Sequence, residues 1–151
     1  MRKDSVFNED KSYLNSWYKI KKGLEEFFKK YSAHLKINPA EAMFLSKIYY
    51  HEGISQREIA HELVVSEANI TKTFKKLESK ELVYKTIDES NNARRNLHLT
   101  ERGEKTFERC IEIFKEFDAV LFEGLTAEQI DQMEDQLRKV ADKSLKIAKE
   151  K

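Results

Sequence analysis

The chain has one proline and four glycines in 151 residues. Breakers this scarce leave little room for long loops or glycine-built turns, so most of the chain must lie in regular elements, chiefly helices. A single cysteine, Cys110, cannot close an internal disulfide or assemble a cysteine-based zinc site, so no oxidising compartment is required. Its place between apolar positions predicts a buried, inert thiol. No run approaches the roughly 18 apolar residues of a membrane span, and Met1-Arg2-Lys3-Asp4 leads into polar residues rather than a signal-peptide core. A cytoplasmic location without a membrane partner is the expectation. Charge of one sign is also missing: 28 basic and 27 acidic side chains leave a formal net charge of +1, which gives no whole-molecule argument for nucleic acid. Gly23, Gly53, Gly103 and Gly124 lie too far apart to cradle a nucleotide phosphate, and no nucleophile–base pair is visible. His34, His51, His61 and His98 are scattered without the close helical spacing of a zinc-hydrolase motif. No catalytic residue, metal or cofactor is expected.

With 40% hydrophobic and 36% charged residues, the chain suits one compact domain or a small domain with a dimerising appendage. From about Ser5 to Leu35, apolar residues recur at Tyr13, Trp17, Ile20, Leu24, Phe27 or Phe28, Tyr31 and Leu35, the helical period. Asn38-Pro39-Ala40-Glu41 opens a second helix that runs to about His51. Ser55-Gln56-Arg57-Glu58 is a capping box for a short third helix. Val64-Val65 interrupts it, and Ser66 caps a fourth that carries Ile70, Phe74 and Leu77 inward to about Lys80. Two short helices around a three- to four-residue turn are a helix-turn-helix layout. The segment 82–87 and the alternating Arg94 to Thr100 read as a β-hairpin with a long polar tip from Asp88 to Ala93. A helix with Phe107, Ile111, Phe114 and Leu121 follows, then a last one, opened by Thr126 to Gln129, with Ile130, Met133, Leu137 and Val140. The fold class is mainly α with a small β-hairpin wing, in the order α-α-α-α-β-β-α-α. Three long apolar stripes exceed what one 151-residue protomer can bury, so an isologous homodimer is expected, with Phe107, Ile111, Phe114, Ile130, Met133, Leu137 and Val140 in its interface.

A helix that enters a major groove needs polar or cationic side chains on its outward face. The fourth helix presents Glu67, Ala68, Thr71, Lys72, Lys75 and Lys76 there, behind Ser66. Between Lys72 and Arg95, seven basic residues stand against four acidic ones. Lysines alone suit a solvated surface helix equally well; the adjoining hairpin, with Asn91, Asn92, Arg94 and Arg95, favours double-stranded DNA as the partner.

Ser66, Thr71-Lys72, Leu77-Glu78-Ser79-Lys80-Glu81-Leu82-Val83 and Arg94-Arg95-Asn96-Leu97-His98-Leu99-Thr100-Glu101-Arg102-Gly103 together resemble the MarR family of multiple-antibiotic-resistance regulators. That pattern has a Ser-led recognition helix, a Leu-Glu-x-x-Gly-Leu-Val turn, a wing with Asp-x-Arg and a Leu-Thr-x-x-Gly helix start. Glu81 replaces the Gly, Asn91-Asn92-Ala93 replaces Asp-x-Arg, and Lys72 stands where Arg is frequent, favouring a point-charge contact over bidentate guanine reading. The resemblance implies a winged helix-turn-helix DNA-binding domain over 38–103 and dimerisation helices over 1–37 and 104–151. It further implies a homodimeric repressor on a pseudo-palindromic operator, with half-sites about 34 Å apart. A small aromatic or phenolic ligand that releases the DNA is part of the same implication, and Trp17, Tyr18, Phe28, Tyr31, Met43 and Phe114 are candidates to line its pocket. An aromatic stripe at helical spacing fits core or dimer interface as well. The alternative function is a winged-helix module that binds protein without DNA.

Overall fold

The computed structural model describes residues 12–150, which form six α-helices and one antiparallel hairpin: α1 (Tyr13–Tyr31), α2 (Pro39–Tyr50), α3 (Gln56–Leu63), α4 (Glu67–Ser79), β1 (Val83–Asp88), β2 (Asn91–Leu99), α5 (Glu101–Leu121) and α6 (Ala127–Lys149). The element order is the expected one. The stretch of the first helix placed before Ser12 lies outside the described residues.

Side-chain caps set nearly every helix start. Asn38 accepts from the Glu41 amide at 2.8 Å while the Glu41 carboxylate accepts from the Asn38 amide at 3.0 Å, and Thr126 with Gln129 repeats this reciprocal box. Ser55, Ser66 and Thr100 cap α3, α4 and α5. Each satisfies an amide that the first helical turn leaves without a partner.

The core lies among α2, α3, α4, the hairpin and the first half of α5. Phe44, Leu45 and Ile48 of α2, Ile59 of α3, Ile70, Phe74 and Leu77 of α4, Leu97 of β2 and Ile113 of α5 are all buried. Phe28 of α1 joins them, stacked on Phe114 with ring centroids 5.1 Å apart. Cys110 is fully buried, and burial pushes its thiol up to about 11. Gly103, in the first turn of α5, is pressed against the entry to β1: a Cβ there would sit 2.0 Å from the Leu82 carbonyl oxygen. By contrast, α6 contains no buried residue among those described.

One local reading of the sequence needs correction. The hairpin tip is short, because the strands run to Asp88 and from Asn91, leaving only Glu89 and Ser90 between them. Asp88 Oδ1 accepts from the Ser90 amide at 2.9 Å and the Ser90 hydroxyl at 2.6 Å, and Asn91 Oδ1 accepts from the Ala93 amide at 3.0 Å. These local bonds from the Asp88 and Asn91 side chains fold the polar run into a tight turn with an adjoining bulge. Glu81, in turn, ends α4 as a glycine would. It adopts φ 61°, with the Glu81 amide donating to Glu78 O at 2.9 Å and the Leu82 amide to Leu77 O at 3.1 Å. That is the Schellman pattern, with Leu77 and Leu82 both buried. A left-handed conformation at a residue with a Cβ costs on the order of 1 kcal/mol, offset here by the Thr100 hydroxyl donating to Glu81 O at 2.7 Å.

Candidate nucleic-acid interface

The turn between α3 and α4 is built on Val64, in the left-handed region at φ 53°, with the Val65 amide donating back to Ala60 O at 3.1 Å. Ser66 then restarts the chain as α4. Across the turn Arg57 pairs with Glu67 at 3.7 Å, both exposed. With Ile70, Phe74 and Leu77 buried, the opposite face of α4 presents Glu67, Ala68, Thr71, Lys72, Lys75 and Lys76 to solvent. Thr71 donates its hydroxyl to Glu67 O at 3.0 Å. Lys72, Lys75 and Lys76 make no ion pair among the described residues, so their charge is directed outward.

The hairpin stands beside this face. It is welded to the turn before α3 by backbone bonds: the Gly53 amide donates to Leu97 O at 3.1 Å, the Leu97 amide to Ile54 O at 2.9 Å, and Ser55 bridges Asn96. Residues 53–55 thus act as a third, very short strand at the wing root. His98 Nδ1 donates to Glu52 Oε1 at 2.6 Å, its Nε2 lies 2.8 Å from the Thr86 hydroxyl, and its ring stacks on Tyr84. Asp88 is held below the ordinary carboxylate range, chiefly by the Ser90 hydroxyl, then by the Ser90 amide, Asn96 and Arg94.

Two of the seven basic residues counted in the sequence do not contribute outward charge. Lys80 Nζ donates to Lys36 O at 2.6 Å and pairs with buried Glu41 at 3.2 Å, tying the end of α4 to the start of α2. Arg94, expected at the wing's DNA-facing tip, instead turns its guanidinium to Glu58, Asn96, Asp88 and Gly53 O. Arg95 folds over the tip, donating to Asn92 O. Asn91 and Asn92 are exposed strand residues beside it.

This is a helix-turn-helix with a wing packed at its side, and a sequence model of the MarR family matches residues 37–94. The helix-turn-helix and its wing match the MarR family over that span. The protein is similar to an uncharacterised HTH-type transcriptional regulator, YybA, of Bacillus subtilis (strain 168), 27% identical over 95 residues, which are 63% of each chain. The crystal structure of MarR superposes with a TM-score of 0.82 at 22% identity, over 96% of this chain and 99% of that one. An S. aureus MepR–DNA complex superposes with a TM-score of 0.78 at 25% identity, over 90% and 99%.

The six aromatic and sulfur side chains that are candidates for a ligand pocket differ in their surroundings. Phe28 borders an open groove of about 590 Å³ between the end of α1 and the start of α2, with Lys29, Ser32 and Asn38. Phe114 is stacked on Phe28, Tyr31 leans on Phe27 at 4.5 Å, and Trp17, Tyr18 and Met43 are exposed. The stripe along α1 and α5 is in part core, where its rings pack on one another. Phe107 also moves from the expected dimer surface to the protomer's own core, where it is buried against Tyr49 and Tyr50 at 4.9 and 6.0 Å. Ile111 and Phe114 are half-buried against that same core, and Ile130 is half-buried. Met133, Leu137 and Val140 are exposed in the protomer. No described helix is long and apolar enough to cross a membrane, and no group of three metal-binding side chains occurs among the described residues.

Sequence reasoning missed Glu58 and Glu41 as ion-pair partners. Each stands third in its helix and was assigned only a capping role, while the partners Arg94 and Lys80 are 36 and 39 residues away.

Proposed function

We propose that this protein is a sequence-specific, DNA-binding transcriptional regulator that acts as a homodimer on a pseudo-palindromic operator. The observation that carries the reading is the solvent face of α4. Lys72, Lys75 and Lys76 project from it without acidic partners among the described residues, next to a wing that carries Arg95. The likeness to a MepR–DNA complex supports the same reading. Helix α4 contains no arginine, so no residue on it can grip guanine through a two-pronged guanidinium. Ala68, Asn69 and Thr71, all exposed, are the groups available to base edges near its N-terminus. The exposed apolar residues of α6, with those of α1, supply the surface for the second copy. Two winged domains would then read half-sites about one helical turn apart.

Binding to duplex DNA from the gene's own upstream region, measured by anisotropy over a salt series with an unrelated duplex as control, tests the reading. Selective binding that weakens steeply with salt is expected. Lys72→Ala should lower the slope of log K against log salt by about 0.9, the value for one lost phosphate contact. Equal, salt-insensitive binding to both duplexes would defeat the proposal.

A further inference from the structure

Arg94 spans more of this molecule than any other side chain of the wing. Its Nε donates to Asn96 Oδ1 at 2.7 Å and lies 3.5 Å from Asp88 Oδ2. Nη1 donates to Glu58 Oε1 at 2.5 Å, and Nη2 to the Gly53 carbonyl at 3.4 Å. One planar fork therefore joins both strands of the hairpin, the turn before α3, and the first turn of α3. Glu58 is itself fixed, because it accepts from the Ser55 hydroxyl at 3.1 Å and its amide donates to the same oxygen.

The position along the hairpin gives this cluster its importance. On the β2 side, backbone pairing to the helical body stops at Asn96. Beyond it the wing is a two-stranded ribbon, the form of sheet with the largest and least constrained twist. Arg94 is the next anchor on that side; on the β1 side Lys85 sits over the Phe74 ring at 5.4 Å. A rigid five-donor fork suits this task, whereas a single ammonium would satisfy only part of it.

We infer that Arg94 is a positioning residue, a strut that fixes the angle between the wing and the helix-turn-helix through Glu58, and that it makes no phosphate contact of its own. The inference rests on the DNA-binding reading above. It makes Glu58, an acidic residue on a DNA-binding domain, a contributor to DNA affinity.

The test uses a duplex selected by the unaltered protein from a randomised pool, with affinity read across a salt series. Glu58→Gln keeps the capping geometry and removes a negative charge, which simple electrostatics would reward. As a strut partner, its loss should weaken binding about tenfold with the salt slope unchanged. Arg94→Ala should do the same, Arg94→Lys should not restore affinity, and the swap Arg94→Glu with Glu58→Arg should recover part of it. Thermal melting of each variant separates these losses from unfolding, and Glu58→Gln carries the test if Arg94→Ala does not fold. A slope lowered by about one unit in Arg94→Ala, with Glu58→Gln binding as tightly as the unaltered protein or tighter, would overturn the strut and leave the regulator standing. Failure of the unaltered protein to enrich any duplex would overturn both.

Discussion

The winged domain and α6 are built from similar amphipathic patterns, yet they end in opposite circumstances. In the winged domain each helix buries its stripe: α4 hides Ile70, Phe74 and Leu77, and α2 hides Phe44, Leu45 and Ile48. Helix α6 is longer and as well capped, with the same apolar spacing, but among its described residues none is buried, and Leu137 and Val140 are 57% and 63% exposed. Periodicity says that a face will be buried; it does not say whether by this copy of the chain. Even the electrostatics differ. The wing's Asp88 is stabilised as a carboxylate by its neighbours, while Asp118, at the α5–α6 end, is raised by burial and by the like charge of Glu134.

This contrast can be broken from the winged side with the largest effect. Gly103→Ala would put a methyl carbon against the Leu82 carbonyl, a backbone atom that cannot rotate away. A loss of at least about 3 kcal/mol is expected, read as a collapse of the urea midpoint. An unchanged midpoint would mean that α5 does not rest on β1 as described. From the other side, Leu137→Glu with Val140→Glu should leave the winged domain's cooperative unfolding in place while shifting the sedimenting species from dimer to monomer, since a two-fold interface would bury four new charges. A dimer that survived both substitutions would remove this stretch of α6 from the interface. The smallest effect has the opposite sign. Glu81→Gly relieves a left-handed residue and should raise stability by about 1 kcal/mol, at the cost of the weak Arg102 pair at 3.4 Å. A destabilised variant would show that Glu81's side-chain contacts outweigh its backbone strain.

The helix-turn-helix was legible because its signals are local. Ser55, Ser66 and Thr100 announce helix starts within three residues of what they bond, and the inward triad of α4 repeats at fixed steps. Arg94 was not legible in the same way. Its charge and place on the hairpin matched a DNA contact, and only the fold brings Glu58 to it. Asn91 and Asn92 read as loop residues on composition, whereas side-chain bonds of Asp88 and Asn91 shape a two-residue turn. Phe107 shares its heptad-like spacing with exposed positions further along. Spacing along one helix carries no information on whether the facing surface is Tyr49 and Tyr50 of the same chain or a second copy.

The seating of Gly103 has a mechanical consequence. Helix α5 has 21 residues, so it extends for about 30 Å from that contact. A bar of that length, pivoted where its first turn touches the wing root, turns a tilt of about 10° into a displacement of about 5 Å at its far end. In a paired molecule joined through the far ends of these helices, the spacing of the two reading heads would be geared to the fit of one hydrogen-sized side chain against one carbonyl oxygen.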